Sequence, residues 1–87
     1  MMIWGDFSIR LKNDVRPEIV AALKQRGFTV QWLHQVTGNF ANVGKSNVVP
    51  PEAANVYALM TGGLEEEDIN DLLSASWLRS FKIEKRG

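Results

Sequence analysis

From Phe28 to Val36 the chain reads FTVQWLHQV, and its chemistry alternates. Phe28, Val30, Trp32, His34 and Val36 fall on one side of an extended backbone, and Thr29, Gln31, Leu33 and Gln35 fall on the other. Successive side chains of a strand point to opposite faces, so a period of two makes one apolar face and one mostly polar face. Phe, Thr, Val and Trp also favour a pleated, half-buried surface. A helix here would scatter Trp32 and Leu33 among Gln31, His34 and Gln35 without a clean stripe. The spacing therefore predicts a strand. Phe7, Ile9 and Leu11, alternating with Ser8, Arg10 and Lys12, predict a second one with its basic residues on the wet side, where they discourage edge-to-edge aggregation.

Between these strands the period changes. Val15, Ile19, Ala22 and Leu23 recur at helical spacing and give one apolar face. Asp14 is placed to cap the start, and Pro17 sits in the first turn, where a missing N–H costs little. Lys24 and Arg26 suit the carbonyl end of the dipole, and Gly27 suits the C′ position. Residues 6 to 37 thus read strand–helix–strand, closed by the turn signal Thr37-Gly38-Asn39.

The second half alternates less cleanly. Phe40 to Val49, FANVGKSNVV, reads as a hairpin strand returning along the first, with a bulge or loop tip at Gly44. Pro50-Pro51 predicts a helix start, with Ala53, Val56, Tyr57, Leu59 and Met60 on its buried side and Gly62-Gly63 at its end. Glu65 to Asp68 fit the first turn of a last helix, where negative charge is favoured. Ile69, Leu72, Leu73, Ser76 and Trp77 form its stripe. Residues 80–86 are ambiguous, because Phe81 and Ile83 alternate with Lys82 and Glu84 as a short strand would. The expected architecture is a single α+β domain over 1–87, ordered β-α-β-β-α-α, with a three-stranded sheet covered by helices.

Composition narrows the function more than the fold. Eighty-seven residues make one domain, with 45% hydrophobic residues, three Trp and four Phe. That aromatic load is large for so small a core and points to an interface between chains. There is no cysteine, hence no disulfide and no thiolate site, and one histidine. Ten basic and ten acidic residues give zero formal charge. Nucleic-acid-binding domains draw most of their affinity from phosphate neutralisation, so this balance argues against such a partner. The start, MMIWGDFSIRLK, has no long apolar run and reads as neither signal peptide nor membrane span. A cytoplasmic protein is expected.

Four stretches invite chemistry. Asn42-Val43-Gly44-Lys45-Ser46 resembles the NVGKS core of the phosphate-binding loop in P-loop GTPases. That loop needs G-x-x-x-x-G-K-S/T leading directly into a helix. Here Asn39 stands at the first glycine position, and Asn47-Val48-Val49-Pro50-Pro51 delays any helix, so a polar hairpin tip is the better reading. Leu23 to Gly38 with the following VPPEAANVYALMTGG resembles small phage repressors of helix-turn-helix type. That resemblance implies a helical Thr29–Thr37 and a DNA face of Asn42, Lys45, Ser46 and Asn47. His34 is a candidate general base with no evident partner nearby. Glu65–Asp68 with Asp71 lacks the spacing of a calcium loop.

The expected function is that of a small non-enzymatic module, without metal or cofactor, that self-associates as a homodimer and docks on another protein. Its candidate interaction residues are Trp4, Trp32, His34 and Trp77. The alternative is a helix-turn-helix DNA-binding regulator.

Overall fold

Met2–Leu11 forms a ten-residue strand, β1, and the rest of the sheet assembles on both sides of it. The computed structural model describes residues 1–86. After β1 come α1 (Pro17–Gln25), β2 (Thr29–His34), β3 (Phe40–Asn42), β4 (Ala53–Glu65), α2 (Glu66–Leu73) and β5 (Leu78–Lys85). The five strands make one sheet in the order β3-β2-β4-β1-β5. Every neighbouring pair is antiparallel. Hence β1 and β2 run parallel to each other with β4 inserted between them, and β4 and β5 run parallel with β1 between them. These are two interlocked split β-α-β units, with β3 added outside β2 as a hairpin.

The register fixes which side chains share a face. Leu11, Ile9 and Phe7 on β1 lie opposite Val56, Ala58 and Met60 on β4. Val30 and Trp32 on β2 lie opposite Ala58 and Val56. Phe7 and Ile9 also face Ile83 and Phe81 on β5. Val20 and Leu23 of α1 and Leu72 of α2 join these residues in one buried cluster. Both helices therefore cover the same face. The Arg26 guanidinium of α1 reaches Asp68 of α2 at 2.8 Å and ties them together. Burying a Val, Leu, Ile or Phe side chain contributes about 1.5–3 kcal/mol, so this face supplies most of the stability.

Local chemistry explains the ends of α1. Pro17 occupies the first helical position, as the sequence predicts. Arg16, not Asp14, is the N-cap residue, and no side chain caps the helix. At the other end Gly27 takes φ 101°. Its N–H donates to the Lys24 carbonyl and the Phe28 N–H donates to Leu23, both at 3.0 Å. That pair of bonds is the Schellman motif. Leu23 and Phe28 are both buried beside it.

The expected three-stranded sheet under helices is overturned, because the described residues form a five-stranded sheet and two helices. The helix predicted after Pro50-Pro51 is instead β4, thirteen residues of central strand. Ala, Leu and Met favour helices, but a strand placed between β1 and β2 gains two hydrogen-bond ladders, and that tertiary context overrides propensity. Gly62-Gly63 do not stop a helix; they lie inside β4. The last helix ends at Leu73, so Trp77 stands beyond it. Residues 78–85 resolve as strand β5. Val36 leaves the apolar face of β2 and is exposed in the turn.

Candidate functional site

Among the described residues nothing covers the side of the sheet away from the helices, and the residues of that side follow from the same register. β1 presents Trp4, Asp6, Ser8 and Arg10. β4 presents Asn55, Tyr57, Leu59 and Thr61, paired with Arg10, Ser8 and Asp6 at Tyr57, Leu59 and Thr61 respectively. Gln31 and Leu33 of β2 lie opposite Tyr57 and Asn55. Phe40 of β3 lies opposite Leu33.

Phe40 is 59% exposed, and its ring reaches across β2 to Tyr57, with centroids 6.0 Å apart. Ser8, Gln31, Phe40, Tyr57 and Leu59 line a shallow depression of about 310 Å³. Phe40, Tyr57 and Leu59 give it a mostly apolar lining, to which Ser8 and Gln31 add polar groups. Farther along the same face, Trp4 is 59% exposed and lies over Gly63. A Cβ on Gly63 would come within 2.8 Å of the Met2 sulfur and 3.1 Å of the Trp4 ring. The missing side chain is what seats both residues.

Some charges on this face are bonded within it, and Lys82 and Glu84 of β5, opposite Ser8 and Asp6, lie on it too. Arg10 donates to the Asn55 side-chain oxygen. Thr61 donates to Asp6 at 2.6 Å, and the Arg86 guanidinium donates to its other oxygen at 2.6 and 3.1 Å. The Thr61 hydroxyl first, and Arg86 second, hold the Asp6 carboxyl below the usual carboxylate range.

Of the four residues singled out from the sequence, Trp32 and His34 come together, with ring centroids 5.8 Å apart, while Trp4 and Trp77 lie elsewhere. Trp4 lies on the open face. Trp32 is 8% exposed and belongs to the core. His34 Nδ1 accepts the backbone N–H groups of Val36 and Thr37, each at 3.1 Å, so the ring holds the β2–β3 turn. Trp77 is half-buried in a groove of about 490 Å³ with Lys12, Arg16 and Ile19. Phe40, Tyr57 and Leu59, which the sequence pattern places on a hairpin strand and a buried helix side, are the residues that meet in the depression of the open face. Strand parity separates Tyr57 and Leu59 from Val56, Ala58 and Met60, but no difference in polarity marks it in the sequence.

The remaining lures are settled by geometry. Val43 packs into the core, and Lys24 Nζ donates to the Val43 and Gly44 carbonyls at 3.2 and 3.0 Å. The segment then leads to a strand, so it lacks the helix that a phosphate loop requires. The helix-turn-helix arrangement needs a helical Thr29–Thr37, which is strand and turn instead. Among the described residues no three His, Asp or Glu side chains gather to hold a metal ion. None of their helices is long and apolar enough to cross a membrane.

Compared with protein-family models, with curated proteins and with solved structures, the chain matches none of them.

Proposed function

We propose that this chain is a non-enzymatic, self-associating docking module of the cytoplasm, and that it binds a protein partner through the open face of its sheet. The observation that carries this reading is the exposed aromatic pair Phe40–Tyr57 beside Leu59, on a face that two helices leave uncovered. Rigid aromatic anchors in a water-excluding patch supply most of the energy in protein interfaces. Stacking nucleic-acid bases is the other use of such rings, and it draws on free cations around them. Here Arg10 is engaged by Asn55 and Arg86 by Asp6, and Lys82, opposite Ser8, shares its side of β5 with Glu84, so the face carries balanced charge, which favours a protein partner.

Pull-down from the native host with the full chain tests the reading. Tyr57→Asp and Phe40→Ser should lose the retained protein while keeping the far-UV spectrum of the parent. Glu18→Ala, on α1, should keep it. Equal retention by all four proteins would overturn the use of this face.

A further inference from the structure

The two edges of the sheet are unequal. β3 is three residues long, whereas β5 presents eight and pairs with β1 alone. The Arg86 N–H donates to the Trp4 carbonyl at 2.9 Å, so the even-numbered positions of β5 turn their hydrogen-bonding groups toward β1. By alternation, Phe81, Ile83 and Lys85 turn theirs away from the sheet. Among the described residues no strand pairs with that side of β5. An edge of that length is a template for another strand. Phe81 and Ile83 also lie at the margin of the core and are only partly buried.

Resting on the self-association in the reading above, we infer that β5 is the dimer interface. It pairs antiparallel with β5 of a second copy about a two-fold axis at Ile83. The register is selected by charge. Outward-pointing residues must meet outward-pointing residues, so the axis passes through a residue of β5. An axis at Lys82 sets Lys82 against its own copy, and an axis at Glu84 sets Glu84 against its own copy. An axis at Phe81 runs Ile83 into Arg79, where the β1–β5 register shifts. The axis at Ile83 sets Lys82 opposite Glu84 twice, Ile83 opposite Ile83, and Phe81 opposite Lys85. Lys82 and Glu84 then form non-hydrogen-bonded pairs, the closer kind of cross-strand neighbour. The self-complementary arrangement is what an isologous two-fold contact requires. It joins two sheets edge to edge and leaves both open faces on the same side.

Charge exchange and cross-linking test the register. Lys82→Glu should weaken dimerisation about tenfold, measured by sedimentation across a concentration series, because two attractive pairs become repulsive. Lys82→Glu combined with Glu84→Lys should restore it. The chain has no cysteine, so introduced thiols report cleanly. Mixed Lys82→Cys and Glu84→Cys chains should form a disulfide-linked heterodimer under mild oxidation, and Lys82→Cys alone should not. A dimer that ignores the charge changes and forms no mixed disulfide would overturn the β5 register. It would leave docking at Tyr57 untouched, since Tyr57 variants read that face independently. A chain that stays monomeric throughout would overturn the register and self-association together.

Discussion

The two faces of this sheet are built from the same strands and the same alternation, yet they meet different surroundings. On the covered face Ile9, Ala58 and Val56 are fully buried under two helices. On the open face their immediate neighbours Ser8, Leu59 and Tyr57 line an open depression. One face holds the fold together, and the other is the face proposed to meet a partner. Stability and binding should therefore separate cleanly when each face is altered in turn.

Ile9 and Leu59 make the sharpest contrast, since they sit on adjacent central strands but on opposite faces. Ile9→Ala removes packed methylenes from the cluster and should cost about 3 kcal/mol. Leu59→Ala should cost less than about 1 kcal/mol, because its side chain is already partly in water. Urea unfolding with an unchanged slope measures both. Similar losses for the two variants would mean that the open face is structural after all.

Two glycines repeat the contrast at smaller scale. Gly5, on the covered side of β1, would drive a Cβ into the carbonyl of Glu84 on the paired strand. Backbone in a ladder cannot step aside, so Gly5→Ala should cost about 2 kcal/mol and loosen β5. Gly63 would instead meet the free ends of Met2 and Trp4. Gly63→Ala should leave stability within about 0.5 kcal/mol and displace the indole, seen as a change in Trp fluorescence.

That division also explains what could be read from the sequence. β1, α1 and β2 were legible because their hidden and wet residues differ in polarity: Phe7, Ile9 and Leu11 against Ser8, Arg10 and Lys12. β4 was not. Its open-face residues Tyr57 and Leu59 are as apolar as the buried Val56, Ala58 and Met60, so the period of two vanished and a helical spacing fitted equally well. The same substitution of apolar for polar side chains that makes the candidate binding patch is what disguised its strand. β5 kept its alternation but stood too close to a helical stripe for the two to be told apart. Of the site itself only Trp4 was recognised, because Phe40 and Tyr57 become neighbours only across β2.

His34 belongs to neither face in function, although its parity placed it with Trp32. Its Nδ1 accepts two turn N–H groups. His34→Ala should cost about 1 kcal/mol by leaving them unpaired. His34→Asn should recover most of that loss, because the amide oxygen occupies nearly the position of Nδ1. Failure of the Asn variant to recover stability would indicate that ring packing against Trp32, 5.8 Å away, matters more than the two bonds.

The smallest effect lies on the open face, at Asp6. Thr61 and Arg86 lower its folded-state pKa from the ordinary value of 3.8. A carboxyl depressed in the folded state contributes stability that is fully present above its unfolded pKa and is lost as pH falls through the folded one. The loss should therefore begin only below about pH 4, and neutral-pH stability should be flat with respect to this group. Asp6→Asn should remove this contribution to the acid limb of the stability curve, measured by urea unfolding from pH 7 to pH 2. Because the group lies in a solvent-exposed network, salt should reduce the difference between the two proteins. If Asp6→Asn leaves the acid limb unchanged, the Asp6–Thr61–Arg86 cluster orders the rim of the open face without stabilising the fold.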